Sequence, residues 1–342
     1  MNIKQNITNI HYNNNKNDGF TEFILNFSSK VYETVVNIRN KMYDTGMLET
    51  VKVGVPVISV GNLTTGGVGK TPLVIELAKY FIAKGDRVAI LSRGYGGTLP
   101  ITETNVISDG ANVFYDSTQA GDEPYMIAKQ ATGCIVITGK DRVKSAQYAI
   151  EKYKVTKIIL DDGFQHRHIY RDFNIMLIDS KSIFGNGKIL PAGPLREPLK
   201  ETKRADKIII VSKEENHIPA EKMSMRVAES TGKPTMVFYV EAGDVYNIKT
   251  KEPLAYGEAV TAVCAIGQPK KFFSFVEKNY FVQDKIEFED HHIYTKEDLK
   301  NIKGNILTTE KDAVKLENLG FDNIFALKLN CRINFEELFG TN

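Results

Sequence analysis

The segment VPVISVGNLTTGGVGKTP, Val55–Pro72, decides how the rest of the chain is read. Its first half is an apolar run of strand character. TTGGVGKT then turns over three glycines, and LVIELAKYFIAKG, Leu73–Gly85, carries the apolar spacing of a helix. A strand that turns over glycines into a helix N-terminus gathers backbone N–H groups and the positive end of the helix dipole around an anion. Lys70 adds a mobile cation and Thr71 a hydroxyl for Mg²⁺. Thr64, Thr65, Gly66, Gly67, Val68, Gly69, Lys70 and Thr71 are therefore the expected loop for a nucleoside triphosphate. The pattern departs from G-x4-G-K-[ST] at its first position, where Thr64 replaces glycine; the bland alternative is an ordinary Gly-rich βα turn. Lys70 is expected to be an exposed loop cation whose partner is phosphate rather than protein.

Composition bounds what surrounds this loop. A chain of 342 residues is long for one core and favours two domains. With 44 basic against 42 acidic residues, charge supplies no reason to expect nucleic acid. Three scattered cysteines, Cys134, Cys264 and Cys331, point to neither a disulfide framework nor a zinc site. No apolar run reaches the roughly 18 residues of a membrane span. Residues 1–19 are polar and Asn-rich, without the basic-then-apolar order of a signal peptide, and are expected to form a disordered tail.

Residues 20–50 carry a single helical stripe: Phe20, Phe23, Ile24, Phe27, Val31, Val35, Ile38 and Met42, with Lys30, Arg39 and Lys41 around it. Such a helix either packs on its own domain or lies on a membrane surface. The stripe alone does not decide between them.

Beyond it, strands are expected at 55–60, 87–92, 134–138, 157–161, 173–179 and 206–212, with helices between, notably 71–84 and 141–153. Apolar strands alternating with helices predict a parallel sheet covered on both faces. A second set follows at 235–243, 259–266, 281–288, 304–308 and 323–329, behind a connector near 215–235. The expected fold class is α/β: a P-loop NTPase-like parallel-sheet domain at 51–225, a smaller α/β domain at 226–342 and the N-terminal amphipathic helix.

KIILDDGFQHRH, Lys157–His168, is an apolar strand ending in an acidic pair. Downstream of a phosphate loop, that pattern delivers Asp161 or Asp162 to Mg²⁺ at the sheet edge. Its bland alternative is a strand ending in an Asp-Gly turn. His166 and His168, without a third soft ligand, make a poor zinc site. Asp122-Glu123, before Pro124 and an amphipathic helix, reads first as an N-cap. Asp290-His291-His292 follows a strand and is either loop decoration or a proton acceptor for phosphoryl transfer. Arg93 and Tyr95, in a glycine frame, suit a phosphorylated or sugar-like ligand.

The series VISVGNLTTGGVGKTP, LSRGYGG, GDEP, TGKDR, LDDGFQHR, GPLREPL, DHH and TEKDAVK, in this order between about residues 55 and 317, closely resembles the tetraacyldisaccharide 4′-kinase family. The resemblance implies ATP-dependent phosphorylation of the 4′-hydroxyl of a tetraacyl glucosamine disaccharide 1-phosphate, giving lipid IVA, with ATP and Mg²⁺. It implies Lys70 and Thr71 on the phosphates and metal, and Asp161 and Asp162 completing that environment. It further implies Asp122 as base towards the 4′-hydroxyl, with His291 paired to it. Arg93, Tyr95, Glu123, Arg142, Gln165, Arg196 and Glu197 carry over as weaker liners of the phosphate and sugar pockets. The implied partners are the lipid disaccharide and the inner-membrane surface, which the protein meets peripherally from the cytoplasmic face. Neither nucleic acid nor an obligate protein partner is expected.

Asp122 and His291 come from different expected domains, so the acceptor site is expected in the cleft between them. Two rivals are weakened by the residues. Membrane-partitioning ATPases carry a signature lysine where Thr65 stands. GTPases usually carry N-K-x-D at a strand end, and Thr309-Glu310-Lys311-Asp312 does not fit it.

Overall fold

A computed structural model describes residues 11, 12 and 19–340. Of the expected tail, 1–19, His11, Tyr12 and Gly19 are described: Gly19 opens a helix, and His11 and Tyr12 contact the rest of the protein. The His11 ring lies 3.0 Å from the Pro191 carbonyl and the Tyr12 hydroxyl donates to the Thr65 carbonyl at 2.8 Å. The remainder of 1–18 lies outside the described residues.

The strands form one twelve-stranded sheet in the order β10-β9-β11-β12-β8-β7-β6-β1-β5-β2-β4-β3. Its first wing holds β1 (Val57–Asn62), β2 (Val88–Ser92), β3 (Asn105–Asp109), β4 (Ile135–Thr138), β5 (Lys157–Asp161), β6 (Phe173–Asp179) and β7 (Lys207–Ser212). Its second wing holds β8 (Thr235–Asn247), β9 (Ala259–Cys264), β10 (Phe281–Glu287), β11 (Asn305–Thr309) and β12 (Ile324–Arg332). The helices that position the site are α1 (Gly19–Asp44), α2 (Lys70–Ala83), α3 (Asp122–Gln130), α4 (Arg142–Tyr153), α5 (Ile218–Thr231), α6 (Pro269–Asn279) and α7 (Glu310–Leu316).

Pairing is parallel throughout the middle of the first wing, as its uninterrupted apolar strands require; β1 is buried at all six positions. Two pairs are antiparallel. β3, which the short and polar TETNVISD conceals, closes one edge against β4. β12 runs against β8, and this pairing reverses the direction of the second wing. The expected connector is the crossover helix α5, and β8 pairs in parallel with β7, so the two wings share one continuous sheet.

α1 is docked the opposite way from a core helix. Its polar side is buried: Ser29 donates to the Ile189 carbonyl and accepts from Ala192 N, Asn40 donates to Glu197, and Arg39 donates to the Gln165 carbonyl. Its apolar stripe faces outward, with Phe20 at 72%, Phe23 at 67% and Phe27 at 62% exposure. Packing of the stripe on its own domain is thus excluded, Met42 alone among its residues being half-buried. No helix among the described residues is long and apolar enough to cross a membrane.

Candidate active site

β1 delivers the phosphate loop. Its last residue, Asn62, is fully buried and donates to the Thr64 carbonyl at 2.8 Å, which holds the start of the turn. Gly69, at φ 111°, makes the left-handed step into α2 that a side chain would resist. One strand position earlier, a Cβ on Gly61 would sit 2.6 Å from that of Phe164, so glycine is what lets the DDGF turn cross β1 at contact distance.

Lys70 is not the exposed cation expected. Its side chain is 12% exposed, and the ammonium donates to Asn62 Oδ1 at 3.1 Å and lies 3.4 Å from Asp162 Oδ1. A lysine so little exposed needs local partners, and these two supply them. Thr71 is buried at the first turn of α2.

β5 ends at the acidic pair, and the two aspartates differ. Asp162 sits at φ 53°, which turns it out of the strand; Arg196 grips both its oxygens, at 2.9 and 2.7 Å. Burial would raise this carboxyl, but Lys70 and Arg196 outweigh it and hold it below the usual carboxylate range. Asp161 is buried; among the described residues it accepts only from Ser92, at 3.3 Å through Oδ2, and its Oδ1 has no partner. Burial, then the charges of Glu123 and Asp162, push it up to about 7.

A buried carboxylate oxygen orphaned among the described residues, on the cleft that Thr71 also lines, is the kind of donor a hard divalent cation takes, so the residues present fit Mg²⁺. Without the cation the arrangement carries a stability penalty. An unfolded Asp161 titrates at its ordinary 3.8. Between that value and about 7 the folded state holds a proton the unfolded state has released, so metal-free stability falls as pH rises through this window. Asp161→Asn, with no charge to bury, is expected to melt above the wild type in EDTA at about pH 8, the advantage shrinking as pH falls towards about 4. Scanning fluorimetry across pH measures this; an advantage that is absent, or independent of pH, contradicts it.

The base candidate comes from α3. Asp122 opens the helix but makes no capping bond, the N-cap being Gly121, so the capping reading does not hold. Its side chain is 15% exposed, and its Oδ2 lies 3.1 Å from His291 Nδ1 and 3.2 Å from Lys315 Nζ. Burial acts to raise Asp122, yet the contacts from His291 and Lys315 prevail and lower it. His291 reaches it from the second wing at φ 66°. His292 turns away, 3.2 Å from Asp298 and stacked on Phe288. Of the two histidines, His291 is thus the one that contacts Asp122.

The weaker residues separate into two groups. Arg93 and Tyr95 are exposed at the cleft, the Tyr95 ring edge-on to His291 at 6.4 Å. Arg142 is buried beside the acidic pair, and burial lowers it to about 10. Glu123 is half-buried close enough to Asp161 to act on its charge. Gln165 donates to the Asn62 carbonyl at 2.9 Å. Glu197 lines the cleft but is 1% exposed, and it receives Arg204, Asn40 and Gln165. It braces the site from behind and anchors α1. His166 is half-buried, lowered to about 4 mainly by desolvation, and among the described residues its Nε2 has no partner. Among the described residues no His, Cys, Asp and Glu cluster forms a soft-metal site.

Sequence reasoning passed over Asn62, Lys213 and Lys315. Lys213, at the end of β7, donates to the Gly67 carbonyl and to Asp179 at 2.9 Å, so a second lysine braces the phosphate loop. Its signal was a lysine directly behind an apolar strand, a position common enough to be unremarkable alone.

Comparison with known proteins matches residues 21–341 to the family model described as tetraacyldisaccharide-1-P 4′-kinase. The chain is 38% identical over 330 residues to the tetraacyldisaccharide 4′-kinase of Halothermothrix orenii, covering 87% of this chain and 84% of the relative. To that of Aquifex aeolicus it is 40% identical over 319 residues, covering 90% and 94%. A crystal structure of LpxK from Aquifex aeolicus in complex with ATP matches with a TM-score of 0.76 at 37% identity, over 91% of this chain and 94% of that one.

Proposed function

The chain belongs to the tetraacyldisaccharide-1-phosphate 4′-kinase family, and from that premise we propose how its residues carry the reaction. The activity is transfer of the γ-phosphoryl group of ATP, with Mg²⁺, to the 4′-hydroxyl of a tetraacyl disaccharide 1-phosphate in lipid A biosynthesis.

Residues 64–71 wrap the phosphates of ATP with backbone N–H groups, and Lys70 exchanges Asn62 and Asp162 for phosphate oxygens. Thr71 and Asp161 would hold Mg²⁺, with Asp162 beside them; bound there, the cation offsets phosphate charge. Asp162, already gripped by Arg196, sets the position of that arginine towards the transferred group. Asp122 takes the proton of the 4′-hydroxyl as its oxygen bonds to the γ-phosphorus and the bond to the bridging oxygen of ADP breaks. His291 holds Asp122 in place. Arg93, Tyr95 and Arg142 line the route of the sugar and its phosphate. The observation that carries this reading is the 3.1 Å contact between Asp122 and His291, made across the two wings at the cleft that His291 and the phosphate loop line.

The acceptor is a lipid, and the reading extends to how it is met. α1 presents its Phe-rich stripe outward while its polar side is pinned to Ile189, Glu197 and Gln165. That orientation supports α1 as an interfacial anchor on the cytoplasmic surface of the inner membrane, next to the site. Burying each phenylalanine contributes roughly 1.5–3 kcal/mol. Phe23→Ser with Phe27→Ser is therefore expected to weaken binding to phosphatidylglycerol-containing vesicles by more than about 100-fold, with little change in melting temperature. One experiment tests both halves: ADP release with the acceptor in vesicles or dispersed in detergent. Wild type should release ADP only when acceptor is present; the variant should lose activity on vesicles and keep it in detergent. Acceptor-independent ADP release refutes the assignment of the site, and unchanged activity on vesicles refutes the anchor.

A further inference from the structure

TEKDAVK, Thr309–Lys315, belongs to the motif series, yet the reaction described so far uses none of it. It forms the end of β11 and helix α7 in the second wing. Thr309 caps that helix, and its hydroxyl also donates to Asp312 Oδ2 at 2.9 Å; Ala265 N donates to the same oxygen at 3.0 Å. Asp312, fully buried, is thereby immobilised, and its Oδ1 accepts from Lys315 Nζ at 3.1 Å. The Lys315 side chain is 6% exposed, and its ammonium reaches on to Asp122 Oδ2 at 3.2 Å.

A tie between α3 and α7 needs no buried charge. The same helices are also joined by Tyr125 and Lys129, both on Glu317 directly after α7. Burying an ammonium costs several kcal/mol unless its partners are well placed, so a second, interior tie has to earn its place by what it touches. Lys315 and His291 both meet Oδ2 of Asp122. Among the described residues Oδ1 of Asp122 has no hydrogen-bond partner, so one carboxylate oxygen is pinned and the other remains for a proton.

We infer that Lys315, held by Asp312, is a positioning residue for phosphoryl transfer: its ammonium keeps Asp122 ionised and turned so that Oδ1 meets the acceptor hydroxyl. The inference rests on Asp122 being the base. Lys315 and His291 stand on the second wing and Asp122 on the first, so the base is set by contacts made across the two wings. The charges around Asp122 are Lys315, Lys311 and Asp312 from α7, His291 and Asp290 with the Tyr294 hydroxyl from the segment after β10, and Glu123 on its own helix. Of these, Lys315 and His291 touch it directly.

The test is the pH dependence of kcat with ATP and acceptor saturating, for wild type, Lys315→Met, Lys315→Arg, Asp312→Asn and Asp122→Asn. In Lys315→Met the carboxyl loses a cation, so it protonates at higher pH. The deficit relative to wild type is expected to be about 10-fold larger at about pH 5.5 than at about pH 8.5, with KM for ATP unchanged. Lys315→Arg restores much of the low-pH activity. Asp312→Asn takes away the charge that holds Lys315 and sets an amide nitrogen against two donors, so it moves the acid limb in the same direction as Lys315→Met, by less. A deficit of the same size at every pH in Lys315→Met, together with an unmoved limb in Asp312→Asn, overturns the inference and leaves Lys315 a strut. If Lys315→Met does not fold, the directions in Lys315→Arg and Asp312→Asn decide alone. Full activity in Asp122→Asn would instead refute the base assignment, a result distinct from either.

Discussion

Lys70→Ala is expected to abolish phosphoryl transfer while leaving the protein folded. Removing one preorganised charge from a transferring phosphoryl group costs about 10²–10³-fold, and Lys70 is also the cation that must replace Asn62 and Asp162 with phosphate, so the loss should be at least about 10³-fold. The fold should tolerate the change. Asp162 keeps both bonds to Arg196, Asn62 keeps its bond to the Thr64 carbonyl, and Lys213 still braces the loop at Gly67. The net worth of the lost hydrogen bond is about 1 kcal/mol, or a few degrees of melting temperature. Single-turnover transfer and calorimetry on one preparation measure both. Near-full activity, or a melting temperature more than about 10 °C lower, would remove Lys70 from the phosphate site and make it a structural ion-pair partner.

Asp122→Asn and His291→Ala are each expected to lower kcat by about 10²–10⁴-fold, with KM for ATP nearly unchanged. The double variant should be little worse than the poorer single variant. The pair acts as a unit: His291 touches Asp122 Oδ2 at 3.1 Å and lies at the cleft with Tyr95 at its edge, so its contribution depends on the carboxylate being present. Neither side chain belongs to the phosphate loop or to the acidic end of β5, which is why nucleotide affinity should hold. Losses that multiply fully would mean that the two residues act separately. A large rise in KM for ATP in either variant would move that residue into the nucleotide shell and dissolve the dyad.

The site was legible in the sequence wherever one local segment carries the chemistry. The glycine turn at 64–71 and the apolar strand ending in Asp161-Asp162 are each built from consecutive residues whose spacing dictates strand, turn or helix, and both stand at the ends of their expected strands. The order of motifs likewise sufficed for the family, because that order is a property of the chain rather than of its packing. β3 was missed because only Val106 and Ile107 in its segment carry the apolar signal, and an edge strand takes its definition from the neighbour it pairs with.

What the sequence determined by itself was the alternation of strands and helices, the phosphate loop, the acidic strand end and the existence of an apolar stripe on α1. Which way that stripe faces was decided only in the tertiary structure, since a periodic pattern defines a face but not what lies against it; here Ser29 and Asn40 dock and the phenylalanines point away. The partners of Lys70, the choice of His291 over His292, and the Lys315 contact to Asp122 were decided there too. The first depends on how β1 and β5 lie side by side; the other two depend on where a side chain ends in space after the sheet reverses direction between β8 and β12, and residues so far apart in sequence meet only when β7 and β8 join the two wings into one sheet.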